Sequence, residues 1–177
     1  MQRIVEQMKA AHIIDESFLK SPKTYILQSL FAVAALAIIF YFVEILTHAA
    51  IVAALGSSAF IVFAMPHSIT AQSRKLIGGH IIGLLCGIIC YFIFLTGPLG
   101  DLSKNAEFIR WVAAAVAVGL SIFLMTIFNA EHPPASGTAL GIVAHAWSYQ
   151  VIVFILLAAI GLAIARVLMR GHLRNLI

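Results

Sequence analysis

Four long apolar runs constrain this chain more than any other feature of its sequence. They are Tyr25–Thr47, Leu76–Thr96, Glu107–Phe128 and Ser148–Met169. Each is close to the ~20 residues that an α-helix needs to cross the hydrocarbon core of a bilayer. Hydrophobic residues make up 62% of the chain and charged residues only 10%, which is far from the composition of a soluble domain. The sequence therefore predicts an all-α, polytopic integral membrane protein.

Two shorter apolar segments, Ala49–Met65 and Pro133–Trp147, lie between these runs. They are marginal as complete spans and suit half-helices or short buried helices. The predicted architecture is a bundle of four long and two short membrane helices in one transmembrane domain, residues 25–169. Whether the short segments cross fully or re-enter stays open at this point.

The two ends of the chain are predicted to lie outside the hydrocarbon core. The pattern of residues 1–24 fits an amphipathic helix on the membrane surface, with a solvated basic tail as the alternative. Residues 170–177 form a basic tail. If all six segments cross, nine of the eleven Lys and Arg residues fall on one side, and such an excess marks the cytoplasmic side. We expect a protein of the cytoplasmic (inner) membrane with both termini cytoplasmic, and no nucleic-acid partner, because the net charge of +4 reflects topology.

The chain also divides into two halves of similar plan, residues 25–97 and 107–169. Each half has a long helix, a short segment rich in small and hydroxyl residues, and a second long helix. Three segments are an odd number of crossings, so two such copies would be inverted in the membrane. Inverted repeats whose broken helices meet near the midplane are a frequent transporter plan.

The polar stretch Asn129–Thr138 interrupts the apolar pattern of the second half. Lipid cannot satisfy an open backbone, so such a break persists only when it is buried in protein or lines a watery cavity. Proline is favoured at the first turn of a helix, so Pro133 and Pro134 predict a helix start. The amides of the residues that follow should point back toward the break and, with the helix dipole, form an anion site.

The residues around this break are the candidate site. The substrate-binding set is His132, Pro133, Pro134, Ala135, Ser136, Gly137 and Thr138, with Ser57, Ser58, Gly79 and His80 from the first half. Ser57 and Ser58 either face the site or bond their own helix backbone, as hydroxyls in membrane helices often do.

Histidine titrates near neutrality, so His132 is predicted to pair with an anion or to carry a coupling proton. Glu131 and Glu44 are its candidate partners in proton coupling. A metal site that uses His80, His132 and His145 is disfavoured, since no paired-ligand spacing such as H-x-x-x-H is present. We expect no cofactor.

Gly79, Gly83 and Gly87 form one stripe on the third segment. Helices approach closely in lipid where such small residues meet a neighbour. Packing against a short segment of the same chain is the favoured interpretation. A homo-oligomer stays open, because a 177-residue chain buries few helices in its centre.

Three blocks of this sequence, in order, resemble the HPP family of integral membrane proteins. They are Gly56–Ala59 followed by Phe63–Pro66, then Gly78–His80, then His132–Leu140, which contains the His-Pro-Pro triplet of the family name. Some members of that family have been linked to nitrite transport. The resemblance therefore implies that the substrate is nitrite or a similar small monovalent anion.

Residues and resemblance together predict a transporter or channel for a small monovalent anion. One alternative is a non-transporting membrane subunit whose polar break fits a partner. A histidine-dependent membrane enzyme or metal-binding protein is the other. It is less favoured, because no nucleophile–base pair or metal motif is visible in the sequence.

Overall fold

A computed structural model describes residues 19–41, 49–96, 107–145 and 147–176. Within these ranges the chain forms six α-helices. They are α1 (Pro22–Tyr41), α2 (Ala49–Ala64), α3 (Ser73–Tyr91), α4 (Glu107–Ile127), α5 (Pro134–His145) and α6 (Tyr149–Met169). A π-helical turn, Phe92–Thr96, continues α3, and a short 3₁₀ turn, Ile69–Ala71, precedes it. The all-helical fold predicted from the apolar runs is confirmed.

Among the helices that the structure describes, three are long and apolar enough to cross a membrane. They are Ser73–Thr96, Glu107–Ile127 and Tyr149–Met169, with mean hydropathies of 2.2, 2.1 and 2.8. Helix α2 is apolar but shorter, and α5 has 12 residues, about 18 Å at 1.5 Å per residue. Large apolar side chains on α4 and α6 face outward, for example Phe123, Leu157 and Leu168. Such outward apolar faces suit lipid.

The short helix α5 lies at the centre of the described bundle, against α2, α3 and α4. The glycine stripe of α3 makes one of these contacts close. A β-carbon added to Gly83 would overlap the carbonyl oxygen of Ala135, and one added to Gly87 would lie 2.7 Å from the β-carbon of Ile142. On the opposite side of α5, a β-carbon on Gly137 would lie 3.2 Å from that of Ala54 in α2. Small residues thus allow the backbones of α2, α3 and α5 to approach closely.

Helix contacts follow a pattern that relates the two halves. Helix α2 packs on α1, α5 and α6, while α5 packs on α4, α2 and α3. If α1, α2 and α3 are exchanged with α4, α5 and α6 in that order, every one of these contacts becomes an observed contact. The pairs α2·α5 and α3·α6 map onto themselves.

One end of the bundle is closed by the C-terminal residues. Gln28 of α1 donates to the carbonyl oxygens of Phe63 and Arg174 and accepts from the Arg174 amide at 3.0 Å. The Leu176 amide donates to the Ala64 carbonyl at 2.8 Å, and Arg166 Nε donates to the Pro66 carbonyl at 2.9 Å. We call this set, with its acceptors at the end of α2, the cap. Part of the segment predicted as a basic tail is therefore docked on the bundle, with Leu173 and Leu176 buried.

Several predictions fall outside the described residues. The amphipathic helix predicted within residues 1–24 lies mostly there, as does Glu44, near the end of the first predicted run. The boundary between the predicted halves, near Gly100, also lies in a range that is not described.

Candidate functional site

The polar break begins with a defined end to α4. Asn129 has a φ of 50°, in the left-handed region that asparagine tolerates better than most residues. The Ala130 amide donates to the Met125 carbonyl at 2.9 Å, and the Asn129 amide donates to that of Thr126 at 3.4 Å. These two bonds form a Schellman motif, which satisfies the last carbonyls of the helix. Asn129 therefore has a local structural role in stopping α4.

Helix α5 begins at Pro134, directly after the break. The Ala135 amide donates to the His132 carbonyl at 2.8 Å, and the Ser136 amide donates to that of Pro133 at 3.2 Å. Both amides predicted to contribute to the anion site are therefore already bonded to carbonyl oxygens of the chain. Tight i→i−3 bonds in the first turn satisfy them within the chain. The Ser136 hydroxyl also donates to Pro133, at 2.8 Å.

Four buried side chains meet where α2, α3 and the start of α5 converge. Ser58 Oγ lies 3.0 Å from His80 Nε2 and 2.9 Å from His132 Nε2. His80 Nδ1 lies 2.8 Å from the hydroxyl of Thr138. All four residues are 0% exposed. We call them the imidazole cluster. Their ring nitrogens and hydroxyls satisfy one another inside the bundle, as buried polar groups must.

The second ring nitrogen of His132, Nδ1, is also hydrogen-bonded. His132 Nδ1 lies 2.9 Å from the carbonyl oxygen of Thr70, in the 3₁₀ turn before α3. The His80 and His132 rings are 5.3 Å apart between centroids and tilted by 55°. Gly79 makes room for this arrangement, since a β-carbon there would lie 2.7 Å from that of His132. The histidines are thus positioned by four separate elements.

The two neighbouring serines of α2 have different surroundings. Ser57 Oγ donates to the Ala53 carbonyl of its own helix at 2.9 Å and faces an open groove of about 720 Å³, which Pro133 and Pro134 also line. Ser58 belongs to the imidazole cluster, and its hydroxyl also lies 2.9 Å from the Ala54 carbonyl. The sequence did not decide whether Ser57 and Ser58 face the site or bond their own helix. In the structure, Ser58 contacts both histidines and Ser57 does not.

An ion pair closes the outer side of the break. Lys75 of α3 donates to the carboxylate of Glu131. That hydrogen bond holds the pKa of Glu131 below its usual range, because it favours the charged form. Arg74 Nη2 donates to the carbonyl of Phe128 at 3.4 Å. The break therefore lies at the end of the bundle that carries Arg74 and Lys75.

Thr70 and Lys75 are the two site residues that the sequence did not indicate. Thr70 contributes only a backbone oxygen, for which no residue type is diagnostic. Lys75 looked like part of a basic loop between two helices. The one sequence feature that could have indicated Lys75 as a site residue is the opposite charge of Glu131, 56 residues away.

A partly open cavity of about 260 Å³ lies beside the break and is lined by Thr126, Glu131, His132 and Ser136 among others. Because Lys75 neutralises the Glu131 charge, this acid does not make the cavity strongly anionic. Burial lowers the pKa of His132, an effect that its bond to the Thr70 carbonyl partly offsets. Within the described part of the chain, no group of three or more His, Cys, Asp or Glu residues is placed to hold a metal ion.

Comparisons with known proteins agree with the resemblance noted from the motifs. The profile of the HPP transmembrane region matches residues 19–175, nearly the whole chain. A transmembrane protein of Dictyostelium discoideum is 38% identical over 90 residues, which are 51% of this chain and 28% of that protein. The chain thus matches less than a third of the length of this relative. No solved structure gives a significant match.

Proposed function

Because this chain belongs to the HPP family of transmembrane proteins, we propose that it transports a small monovalent anion across the membrane. Nitrite is the first candidate, since the family resemblance implies it. The observation that carries the proposal is the polar break itself. A helix in the centre of an apolar bundle starts at a double proline, and a cavity lined by His132 and Ser136 adjoins that start.

The electrostatics of the break favour an anion over a cation. The positive end of the α5 dipole lies at Pro134, about half an elementary charge by the usual measure. Although the Ala135 and Ser136 amides donate within the chain, the dipole acts through space on a charge in the cavity. Arg74 lies at the same end of the bundle, and a positive charge at an entrance raises the local concentration of anions.

We also propose that the two halves are inverted repeats. The exchange of α1–α3 with α4–α6 preserves the observed helix contacts, which supports the proposal. The shared end formed by the start of α1, the α2–α3 connection and the C-terminal residues supports six crossings with both termini on one side. We expect cysteines introduced at Arg74 and Asn175 to be labelled from the same side of the inner membrane. Labelling from opposite sides contradicts the six-crossing topology.

The transport proposal is tested by nitrite uptake into proteoliposomes, with protein-free vesicles as background. Native protein should take up nitrite, His132→Ala should abolish uptake, and Ser136→Ala should reduce it. Gln150→Ala, an exposed change on α6, is the matched control and should retain native uptake. If both site variants transport normally, the proposed site is wrong. If folded native protein moves no monovalent anion, the non-transporting subunit becomes the better interpretation.

A further inference from the structure

The donor and the acceptor of each hydrogen bond in the imidazole cluster can be assigned by starting from the Thr70 carbonyl. A carbonyl oxygen only accepts, so the nitrogen of His132 facing Thr70 must carry a hydrogen. In neutral imidazole the other nitrogen is then an acceptor. His132 Nε2 therefore needs the hydroxyl hydrogen of Ser58, which lies 2.9 Å away.

This assignment determines the remaining protons. Ser58 has one hydrogen, and that hydrogen is used on His132. The 3.0 Å contact to His80 Nε2 must then be an N–H donated by His80 to the serine oxygen. His80 Nδ1 becomes an acceptor and receives the Thr138 hydroxyl at 2.8 Å. The two neutral histidines are opposite tautomers, and every polar group of the cluster is satisfied.

A second proton arrangement fits the same heavy atoms. The Ser58 hydroxyl also lies 2.9 Å from the Ala54 carbonyl. If the hydroxyl turns to Ala54, the serine oxygen accepts N–H groups from both histidines. His132 Nε2 then carries a hydrogen of its own, so the ring holds one additional proton and one positive charge. No side chain has to change rotamer between the two arrangements.

We propose that Ser58, His80 and His132 form a binding site for one proton, and that this proton is carried together with the transported anion. The proton binds at His132 Nε2, and the Ser58 hydroxyl hydrogen rotates to the Ala54 carbonyl. Release reverses both movements. A monovalent anion and one proton together carry no net charge. The site for the proton is independent of transport, whereas its use in coupling rests on the proposed function.

Few other charges face the cluster. Helix α2 has no ionisable residue, and α5 has only His145, at its far end. The ionisable residues of α4 lie in its first turn, away from the break. Helix α3 contributes Lys75, which is paired with Glu131, and Arg74, which bonds the Phe128 carbonyl. These nearby charges sum to one positive charge, that of Arg74, and none compensates a positive His132.

This lack of a counter-charge provides the coupling. Burial without a counter-charge disfavours the protonated form of His132, so the site is neutral when the cavity is empty. An anion in the cavity beside His132 favours the charged ring, and the charged ring favours the anion. Each ligand therefore promotes binding of the other, as proton–anion symport requires.

The proton site is tested directly by nitrogen NMR of protein carrying ¹⁵N-labelled histidine. His80→Gln and His132→Gln spectra assign the two buried rings by subtraction. At neutral pH we expect His132 with its hydrogen on Nδ1 and His80 with its hydrogen on Nε2. Nitrite at mildly acidic pH should convert His132 to the doubly protonated form. The same tautomer in both rings, or a His132 that stays neutral with nitrite, overturns the proposal.

Coupling is tested in proteoliposomes by imposing a pH gradient and a membrane potential separately. Nitrite uptake should follow the pH gradient and ignore the potential, after subtraction of nitrous acid that diffuses through protein-free vesicles. Ser58→Ala should lower gradient-driven uptake about tenfold, the effect of one lost hydrogen bond. Ser121→Ala, which removes a buried hydroxyl that donates to the Val118 carbonyl of its own helix α4, should not lower it. Thr138→Val, which removes the donor to His80, provides a second variant if Ser58→Ala fails to fold.

The two proposals fail in different ways. Nitrite uptake that follows the membrane potential and carries no proton overturns the coupling but leaves anion transport intact. Equal loss in Ser121→Ala and Ser58→Ala also overturns it. If no anion is transported at all, the proposed function and the coupling fail together, and the proton site is then judged by the NMR result.

Discussion

The imidazole cluster and the cap are two buried polar regions of this protein with different chemistry. In the cap, most bonds run from an amide or guanidinium donor to a carbonyl acceptor, as between Arg166 and Pro66. Such bonds have one possible direction. In the cluster, Ser58, His80 and Thr138 join groups that both donate and accept. The comparison indicates that burial and hydrogen-bond saturation do not distinguish the two regions, whereas reversible proton positions do.

The largest effect is expected from Gly83→Ala, which tests the close α3–α5 contact beside the imidazole cluster and leaves the residues of the cap unchanged. A β-carbon at this position overlaps the Ala135 carbonyl oxygen and pushes α5 away from α3. We expect a loss of about 3 kcal/mol in stability and loss of nitrite uptake. Thermal unfolding in detergent measures the first. Gly161→Ala, where the added carbon meets nothing within 4 Å, is the control, and equal destabilisation of both variants contradicts the close α3–α5 contact.

A smaller effect is expected from Gln28→Ala in the cap. The substitution removes three hydrogen bonds from a side chain that is 1% exposed and leaves the carbonyl of the buried Phe63 without its Gln28 donor. We expect a loss of about 2 kcal/mol, with unchanged nitrite uptake per folded molecule and an unchanged pH dependence. Gln150→Ala on the exposed face of α6 should cost almost nothing. A changed pH dependence in Gln28→Ala would remove the distinction between cap and cluster.

The smallest effect concerns pH and belongs to the cluster. In the unfolded chain His132 binds a proton near pH 6.5, the ordinary value, whereas burial lowers its pKa in the folded protein. Protons therefore favour the unfolded chain. The stability contributed by neutral His132 is complete above pH 6.5 and is lost as pH falls toward the folded pKa, by at most about 1.4 kcal/mol per pH unit.

This pH dependence is measured as the melting temperature between pH 7.5 and 5.5. We expect His132→Gln to show a smaller decrease than the native protein. Nitrite should reduce the decrease in the native protein only, because the anion stabilises the charged ring. A native melting temperature that is constant across this range would show that His132 is not held neutral by burial.

Much of the fold could be predicted from the sequence, because apolar length and helix-breaking residues act locally. The described helices lie within a few residues of the predicted segments, and the start of α5 follows from Pro133 and Pro134. The stop of α4 at Asn129 follows from a residue that tolerates a positive φ. Family membership also followed from three short motifs.

The candidate site could be predicted from the sequence only in part. Polar residues at the break could be named, because each is unusual in an apolar chain. Their partners could not, since Ser58 and His132 are 74 positions apart, and His132 and Thr70 are 62 apart. The sequence favoured Glu131 and Glu44 as the partners of His132. The structure pairs Glu131 with Lys75 instead, and Glu44 lies outside the described residues.

By itself, the sequence determined that this protein is a helical membrane protein of the HPP family with a polar break before α5. Those properties depend on residues that are neighbours in the chain. Only the tertiary structure decided that Ser58 joins two histidines, while Ser57, one position away, bonds its own helix. Adjacent residues of a helix point about 100° apart, so the packing of α3 and α5 on one face of α2 selects between them.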